Sequence, residues 1–391
     1  MTSLLQSIPS PSPEWQQVPI GQWLEAIGVM PLIQGSVFGA VLFGLVLGLV
    51  IAVVVLAVWL VNGTLTRKDA LWTLAMSLLF GVAVGFLFRI VGPGWGVQTY
   101  AICILVGILI ATVLTGYRLR QRGVEAGYVI DVAVWAVLLG IAAARVFHVI
   151  THPDDYFGAG RDPMTAFYIW EGGIAIFGAL IGGAVGIWIG CRLSGLRFST
   201  FVDALAPGLL IAQAFGRLGN WFNHELFGQP TDLPWGLEIE ATNPSFPVGL
   251  PADTLFHPTF AYEIVWNLLG AAVLLWLDRK RDVQWGRLIA LYLIWYGLGR
   301  SVFETIRLDP SELLLGIRTN VWMAFIAIAV GVVVWLVQTR RHAGLEPSPW
   351  MPGREPGAEE GVDSETYTDL PESRTQDDAE DPAAQPAAAT T

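Results

Sequence analysis

Ser36–Val61 runs without a single charged side chain. A helix that crosses the hydrocarbon core of a bilayer needs about 20 consecutive, mostly apolar residues, so this run alone directs the chain to a membrane. Further runs meet or approach that length: Trp72–Ile90, with Arg89 placed to snorkel at its end, then Val97–Thr115, Val129–Ile150, Gly172–Gly190, Phe201–Phe215, Phe260–Leu277, Leu288–Val302 and Val321–Val337. The Phe201–Phe215 run is short and holds Pro207. The pattern predicts an all-α polytopic membrane protein of about nine transmembrane helices. Composition agrees: only 14% of the 391 residues are charged, against about 25% in soluble chains. Abundant Gly and Trp also suit membrane helices with aromatic belts at the interfaces.

Basic residues fall on alternate connections: Arg67 and Lys68; Arg118, Arg120 and Arg122; Arg192 and Arg197; Arg279, Lys280, Arg281 and Arg287; Arg340 and Arg341. By the positive-inside rule these loops are cytoplasmic. That places the N-terminus outside and the C-terminus inside, and it requires an odd number of spans. The first basic residue is Arg67, so no signal peptide is expected. The formal net charge of -11 misleads, because 345–391 carries twelve acidic residues and two Arg. The body is nearly neutral. The acidic, Pro- and Ala-rich end cannot bury enough apolar surface to offset its ordering entropy, and a disordered cytoplasmic tail is expected over 341–391. No basic run is long enough for nucleic acid. Cys103 and Cys191 lie in or beside apolar runs, where packing is expected rather than a disulfide, a metal or a nucleophile.

Ionisable groups in or beside spans are functional candidates by default. Arg89, Arg145, Arg161, Arg217, Arg300, Arg307 and Arg318 lie outside the basic loops. The densest polar run is Gly216–Gly228, which holds Arg217, Asn220, Asn223, His224 and Glu225 among aromatics and glycines. It is expected to open a long outer loop reaching His257. Glycine admits close backbone approach, and Arg offers a fork for phosphate. A helix-capping loop with an interfacial Arg would contain the same residue types. Tyr296, Arg300, Glu304 and Arg307 stack on one helix face, either as a structural salt-bridge ladder or as arginines held for an anion by Glu304. Tyr100, Arg145, Asp203 and Glu263 are weaker candidates; a satisfied buried acid is the plain account of Glu263. His148 and His152 are spaced to ligate zinc, but no third strong ligand is placed, and no metal site is expected.

The Gly216–Gly228 run resembles the signature of the prolipoprotein diacylglyceryl transferase family, G-R-x-G-N-F/W-x-N-x-E-x-x-G. Its fixed positions stand here as Arg217, Asn220, Asn223, Glu225 and Gly228. The start, Ile8-Pro9-Ser10-Pro11, resembles the family's outer N-terminal segment, and Tyr100 its first-span tyrosine. Glu171-Gly172-Gly173 with Gly178–Gly182 resembles the third-span motif. His257-Pro258-Thr259 with Tyr262-Glu263, then Tyr296, Arg300, Glu304 and Arg307, resemble the last two motifs in order. Two departures stand out. The family has seven spans, whereas this chain inserts about 80 residues with two more apolar segments. The resulting division is an outer segment 1–20, an inserted region 21–96, a membrane core 97–340 and the tail 341–391. Many members also carry a third-span His proposed as base, and that position is Phe177 here.

The resemblance implies transfer of the diacylglyceryl group of phosphatidylglycerol to the lipobox cysteine of preprolipoproteins at the outer face of the bacterial cytoplasmic membrane. A thioether forms and glycerol-1-phosphate leaves. The nucleophile belongs to the substrate, and no cofactor is required. Arg217 and Arg300 are expected to grip the phosphate, with Asn220 and Tyr100 orienting the headgroup. Glu225, Gly228, Arg145, Tyr296, Glu304 and His257 complete the expected substrate site. His224, His257 and His148, in that order, are the imidazoles available as base. Two alternatives stay open: a transporter or flippase for an anionic lipid or solute, and an inactive scaffold that binds lipid or lipobox peptides.

Overall fold

The computed structural model describes residues 7–355, apart from 63–66, 92–95, 126, 159, 170–171, 282, 310 and 312. Helices dominate: α1 (Ile20–Ala26), α2 (Val29–Gly35), α3 (Val37–Asn62), α4 (Arg67–Val91), α5 (Thr99–Gln121), α6 (Tyr128–Thr151), α7 (Asp154–Phe157), α8 (Ile176–Ser194), α9 (Phe198–Phe222), α10 (Thr259–Arg281), α11 (Arg287–Ile306) and α12 (Thr319–Arg341). Three two-residue ribbons accompany them: β1 (Gln17–Val18) with β2 (Val97–Gln98), β3 (Leu237–Glu238) with β4 (Leu255–Phe256), and β5 (Leu313–Leu314) with β6 (Ile317–Arg318).

Every expected apolar run coincides with a helix. Among the described residues six helices are long and apolar enough to cross a membrane: α5, α6, α8, α9, α10 and α12. In α3 and α4 the qualifying apolar stretches are shorter, Val37–Val53 and Thr73–Phe86. Helix α11 carries Arg300 and Glu304 in its C-terminal half and is not among the six. The chain is an all-helical polytopic membrane protein.

Small residues bring the helices together. Lipid is as apolar as a leucine side chain, so membrane helices associate by close backbone packing rather than by hydrophobic exclusion. On α8, Gly178, Gly182, Gly186 and Gly190 form one face against α6; a Cβ on Gly182 would collide with the carbonyl oxygen of Leu139. On α5 the buried face is Cys103, Gly107, Ala111 and Thr115, with Leu105, Ile108, Leu109 and Val113 exposed for lipid. Gly107 and Ala111 meet Ala212 and Gly208 of α9.

Helix α9 packs against α5, α10 and α11 and is the most buried of the six. Its Pro207 has no N–H to give the carbonyl of Asp203. The buried guanidinium of Arg118 supplies that donor: Nη1 lies 2.5 Å from Asp203 O and 2.7 Å from Ala204 O, while Nη2 pairs with Asp278 at 2.7 Å. Asp203, fully buried, accepts the N–H groups of Gly286 and Ile289 at 2.8 and 2.9 Å. It thus caps α11 from a neighbouring helix.

The chain before α5 leaves and rejoins the rest of the fold at one place. Gln17 pairs with Gln98 and Val18 with Val97, so the chain departs at β1 and returns alongside at β2. Between them α3 and α4 pack on each other through glycine: a Cβ on Gly81 would collide with the carbonyl oxygen of Gly44.

The expectation of a disordered tail from residue 341 fails over its first part. Residues 342–355 strap the end of the bundle that carries the basic loops. Trp350 is buried against Leu119, Val124, Val129 and Leu196, edge-on to Tyr128 at 5.0 Å. Its carbonyl accepts from Arg197 Nε at 2.7 Å. Glu346 accepts the hydroxyls of Ser199 and Thr200. One large aromatic with backbone hydrogen bonds orders a segment that its composition marks as polar. Residues 356–391 lie outside the described residues.

Candidate active site

The signature begins on a helix rather than a loop. Helix α9 continues through Arg217 and Asn220 to Phe222, held there by Gly219, whose Cβ would lie 2.6 Å from the Tyr100 ring. The chain then turns sharply: His224 and Leu226 adopt positive φ of 52° and 59°, a left-handed conformation that costs a non-glycine residue roughly 1–2 kcal/mol. Strain of this kind persists where surrounding contacts over-determine it. Here Asn243 Nδ2 donates to His224 O at 3.0 Å and Thr259 Oγ1 donates to Leu226 O at 2.5 Å.

The polar side chains of the run form one connected network. Arg217 Nε pairs with Glu263 of α10 at 2.8 Å, and its Nη1 donates to Asn220 Oδ1 at 3.1 Å. Asn220 Nδ2 donates to Glu225 Oε1 at 2.8 Å, and Asn223 Nδ2 donates to the same oxygen at 3.1 Å. Glu263 is buried and satisfied, in keeping with its plain account, and it aims the arginine.

A second network centres on Glu304, whose side chain has no exposure. Arg300 Nη2 lies 2.8 Å away, Arg318 Nε 3.0 Å and Arg307 Nη1 3.6 Å. Asn320 Nδ2 donates to Glu304 Oε1 at 2.8 Å. Asp309 binds Arg307 at 2.6 Å and Arg318 at 3.2 Å. Three cations thus share two carboxylates, which leaves a surplus of positive charge. Arg300 Nη1 is buried without a hydrogen-bond partner among the described residues. The ladder of Arg300, Glu304 and Arg307 is real, and it is also the mount that presents a spare donor.

Gly228 binds the two networks to each other. Its N–H donates to His257 O at 2.9 Å, its backbone bridges Arg307, and a Cβ there would lie 2.7 Å from His257 Cβ. Gly228 and the His257 backbone therefore join the signature turn to α10 and α11. The His257 ring sits 3.2 Å from the Tyr262 hydroxyl.

Three expected positions have other surroundings. Arg145 is buried, with Nε, Nη1 and Nη2 donating to the carbonyls of Ala166, Gly172 and Thr165 at 2.8, 2.6 and 2.5 Å. Its guanidinium clamps the loop after α6 through these carbonyls. His148 stacks on His152 at 4.5 Å and lines a separate cavity of about 440 Å³ with Arg145, Asp155 and Arg161. His224 is buried, its Nδ1 2.7 Å from Glu240 Oε1 and its Nε2 without a partner among the described residues. Phe177 meets Phe147 edge-on. Glu171 of the third-span motif lies outside the described residues.

Sequence reasoning passed over Asn320, Asp309 and Glu240, which come from distant segments and have no local pattern; Arg318 stood out only as a basic residue on a connection where the orientation rule expects none.

The N-terminal segment closes over this end. Ser7 and Ser10 bind Glu238, Ile8 pairs with Leu237, and Trp221 Nε1 donates to Pro9 O at 3.3 Å.

The comparisons agree with the motifs. The family model for prolipoprotein diacylglyceryl transferase matches residues 85–337. A phosphatidylglycerol–prolipoprotein diacylglyceryl transferase of Leifsonia xyli is 58% identical over 68% of this chain and 84% of its own length. A second from Streptomyces coelicolor is 44% identical over 64% and 78%, and one from Cutibacterium acnes is 45% identical over 63% and 82%. The chain belongs to the prolipoprotein diacylglyceryl transferase family.

Proposed function

We infer that the chain is a membrane-embedded phosphatidylglycerol–prolipoprotein diacylglyceryl transferase acting in lipoprotein maturation. The observation that carries this is a pair of arginines on two packed helices, Arg217 on α9 and Arg300 on α11, each aimed by a buried carboxylate.

The chemistry follows from that pair. The thiol of a lipobox cysteine, with an ordinary pKa of about 8.5, must lose its proton beside a membrane that disfavours anions. Its sulfur then attacks the terminal glyceryl carbon of phosphatidylglycerol. A carbon–sulfur bond forms, the carbon–oxygen bond to the phosphate breaks, and glycerol-1-phosphate leaves with the bond's electron pair. Charge develops on the leaving phosphate, where preorganised guanidinium donors act most strongly. Asn220, Tyr100 and Tyr296 orient the headgroup through neutral hydrogen bonds. Glu225, Glu263 and Glu304 hold the donors.

His224 is the proton acceptor in this proposal. Glu240 fixes its tautomer by binding Nδ1, which leaves the Nε2 lone pair available. Phe177 offers no proton acceptor, so a third-span base has no place in the scheme.

Nine spans with the N-terminus outside and the C-terminus cytoplasmic complete the proposal, in a bacterial cytoplasmic membrane with the site towards the outer face. Two observations support it. The strap at 342–355 packs at the end that bears Arg122, Arg197 and Arg287. The paired β1 and β2 let residues 21–96 add an even number of crossings without reorienting α5 and the helices after it.

The test is a lipobox peptide incubated with purified protein in vesicles of phosphatidylglycerol. The peptide is expected to gain the mass of one diacylglyceryl group. Bound peptide of unchanged mass would identify the inactive scaffold instead.

A further inference from the structure

One helical turn below Arg217 on α9 is Gln213. One and two turns below Arg300 on α11 are Tyr296 and Tyr292. The spacing of four residues puts each step about 6 Å deeper along the helix and on the same face. Gln213 Nε2 lies 2.8 Å from the Tyr292 hydroxyl, which ties α9 to α11 at this depth. Tyr292 and Tyr296 stack with ring centroids 6.1 Å apart. The other end of the Gln213 amide, Oε1, is buried without a hydrogen-bond partner among the described residues. Gln213 and Tyr296 are nevertheless only half-buried as residues, like Arg217 and Arg300.

An amide with one idle end is costly in a membrane interior. A leucine would pack there without penalty. The amide becomes intelligible if something else meets it, and the level limits what that is. With the lipid phosphate gripped at Arg217 and Arg300, the next polar atoms of a diacylglyceryl lipid, about one helical turn further in, are its ester carbonyls. Ester carbonyls only accept hydrogen bonds. The two ends of a Gln amide exchange roles by a half turn, so Oε1 takes the Tyr292 O–H while Nε2 turns its donors to the ester. The Tyr296 hydroxyl is a second donor at the same level.

We propose that Gln213, set by Tyr292, recognises the ester carbonyls of the diacylglyceryl group, so that the site selects diester over diether lipid. The proposal rests on the transferase assignment and extends it to the glyceryl backbone of the lipid. Gln213 is a positioning residue for the substrate, distinct from the arginines that act on the leaving group.

The experiment compares two phosphatidylglycerols of equal chain length, one diester and one diether, as donors to a lipobox peptide with the full-length protein. Wild type is expected to favour the diester in kcat/KM by about tenfold, the scale of one lost hydrogen bond, with the difference carried by KM. Gln213→Leu is expected to lose most of its activity on the diester and little on the diether, which brings the ratio near one. Tyr292→Phe, which removes a single hydroxyl, is expected to lower the ratio in the same direction and serves if Gln213→Leu does not fold. Equal wild-type turnover of both lipids, or a ratio unchanged in both variants, would overturn the proposal. No transfer from either lipid by folded wild type would instead overturn the transferase assignment on which it rests.

Discussion

Arg300 Nη2 lies 2.8 Å from Glu304 Oε2, on a carboxylate with no exposure to solvent. Arg318 and Arg307 approach the same carboxylate from β6 and from the end of α11. Removing one partner from a buried ion cluster leaves uncompensated charge, at a cost of about 3–5 kcal/mol. Glu304→Gln keeps the shape and removes the charge that holds three guanidinium groups together. It is expected to lower the melting temperature in detergent and to abolish transfer. A variant that melts like wild type would remove Glu304 from this central role.

Arg217 donates through two different nitrogens, to Glu263 and to Asn220. A lysine cannot reproduce that geometry, because its ammonium is a point charge on a flexible stem. Arg217→Lys is therefore expected to transfer lipid at a rate close to that of Arg217→Ala, about a hundredfold or more below wild type. Assays of peptide lipidation at saturating lipid distinguish this from simple charge rescue.

Phe177 packs against Phe147 at the start of α8 and has no chemistry to offer a thiol. Phe177→Ala is expected to turn over within a few-fold of wild type, whereas His224→Gln is expected to slow transfer strongly at neutral pH. Initial rates of peptide lipidation by the two variants, side by side, check both expectations.

Trp350 holds the strap at 342–355 with its ring in a buried cluster. Truncating a buried tryptophan costs about 3–5 kcal/mol. Trp350→Ala is expected to lower the melting temperature while leaving transfer intact at low temperature, because the strap sits at the end of the bundle opposite the arginines. Loss of activity at every temperature would couple the two ends.

The membrane helices were legible in the sequence because a bilayer demands a fixed length of apolar chain, and six of the nine expected spans meet that demand among the described residues. Pro207 hid the true extent of α9. Its freed carbonyl is satisfied by Arg118 from another helix, a repair that no local pattern announces. The signature's residue identities were legible too, but its conformation was not: Arg217 and Asn220 sit on a helix, where a loop was expected, because Gly219 packs on Tyr100 from a segment more than a hundred residues away. Arg145 had the right residue type in a plausible place, and its neighbours were backbone carbonyls, which a sequence does not display. Trp350 was a single aromatic in an acidic, proline-rich stretch, and composition averaged over that stretch concealed it. Arg318 and Asn320 reach Glu304 from the start of α12, a pairing set by the way α11 and α12 pack.

Single-turnover release of labelled glycerol phosphate from phosphatidylglycerol, with lipobox peptide in excess, tests the paired-arginine account most directly. Wild type is expected to release headgroup in step with peptide lipidation. Arg217→Ala and Arg300→Ala are each expected to bind peptide, insert normally and release headgroup about a hundredfold to a thousandfold more slowly. Release at the wild-type rate by either variant would contradict the assignment of that arginine to the leaving phosphate.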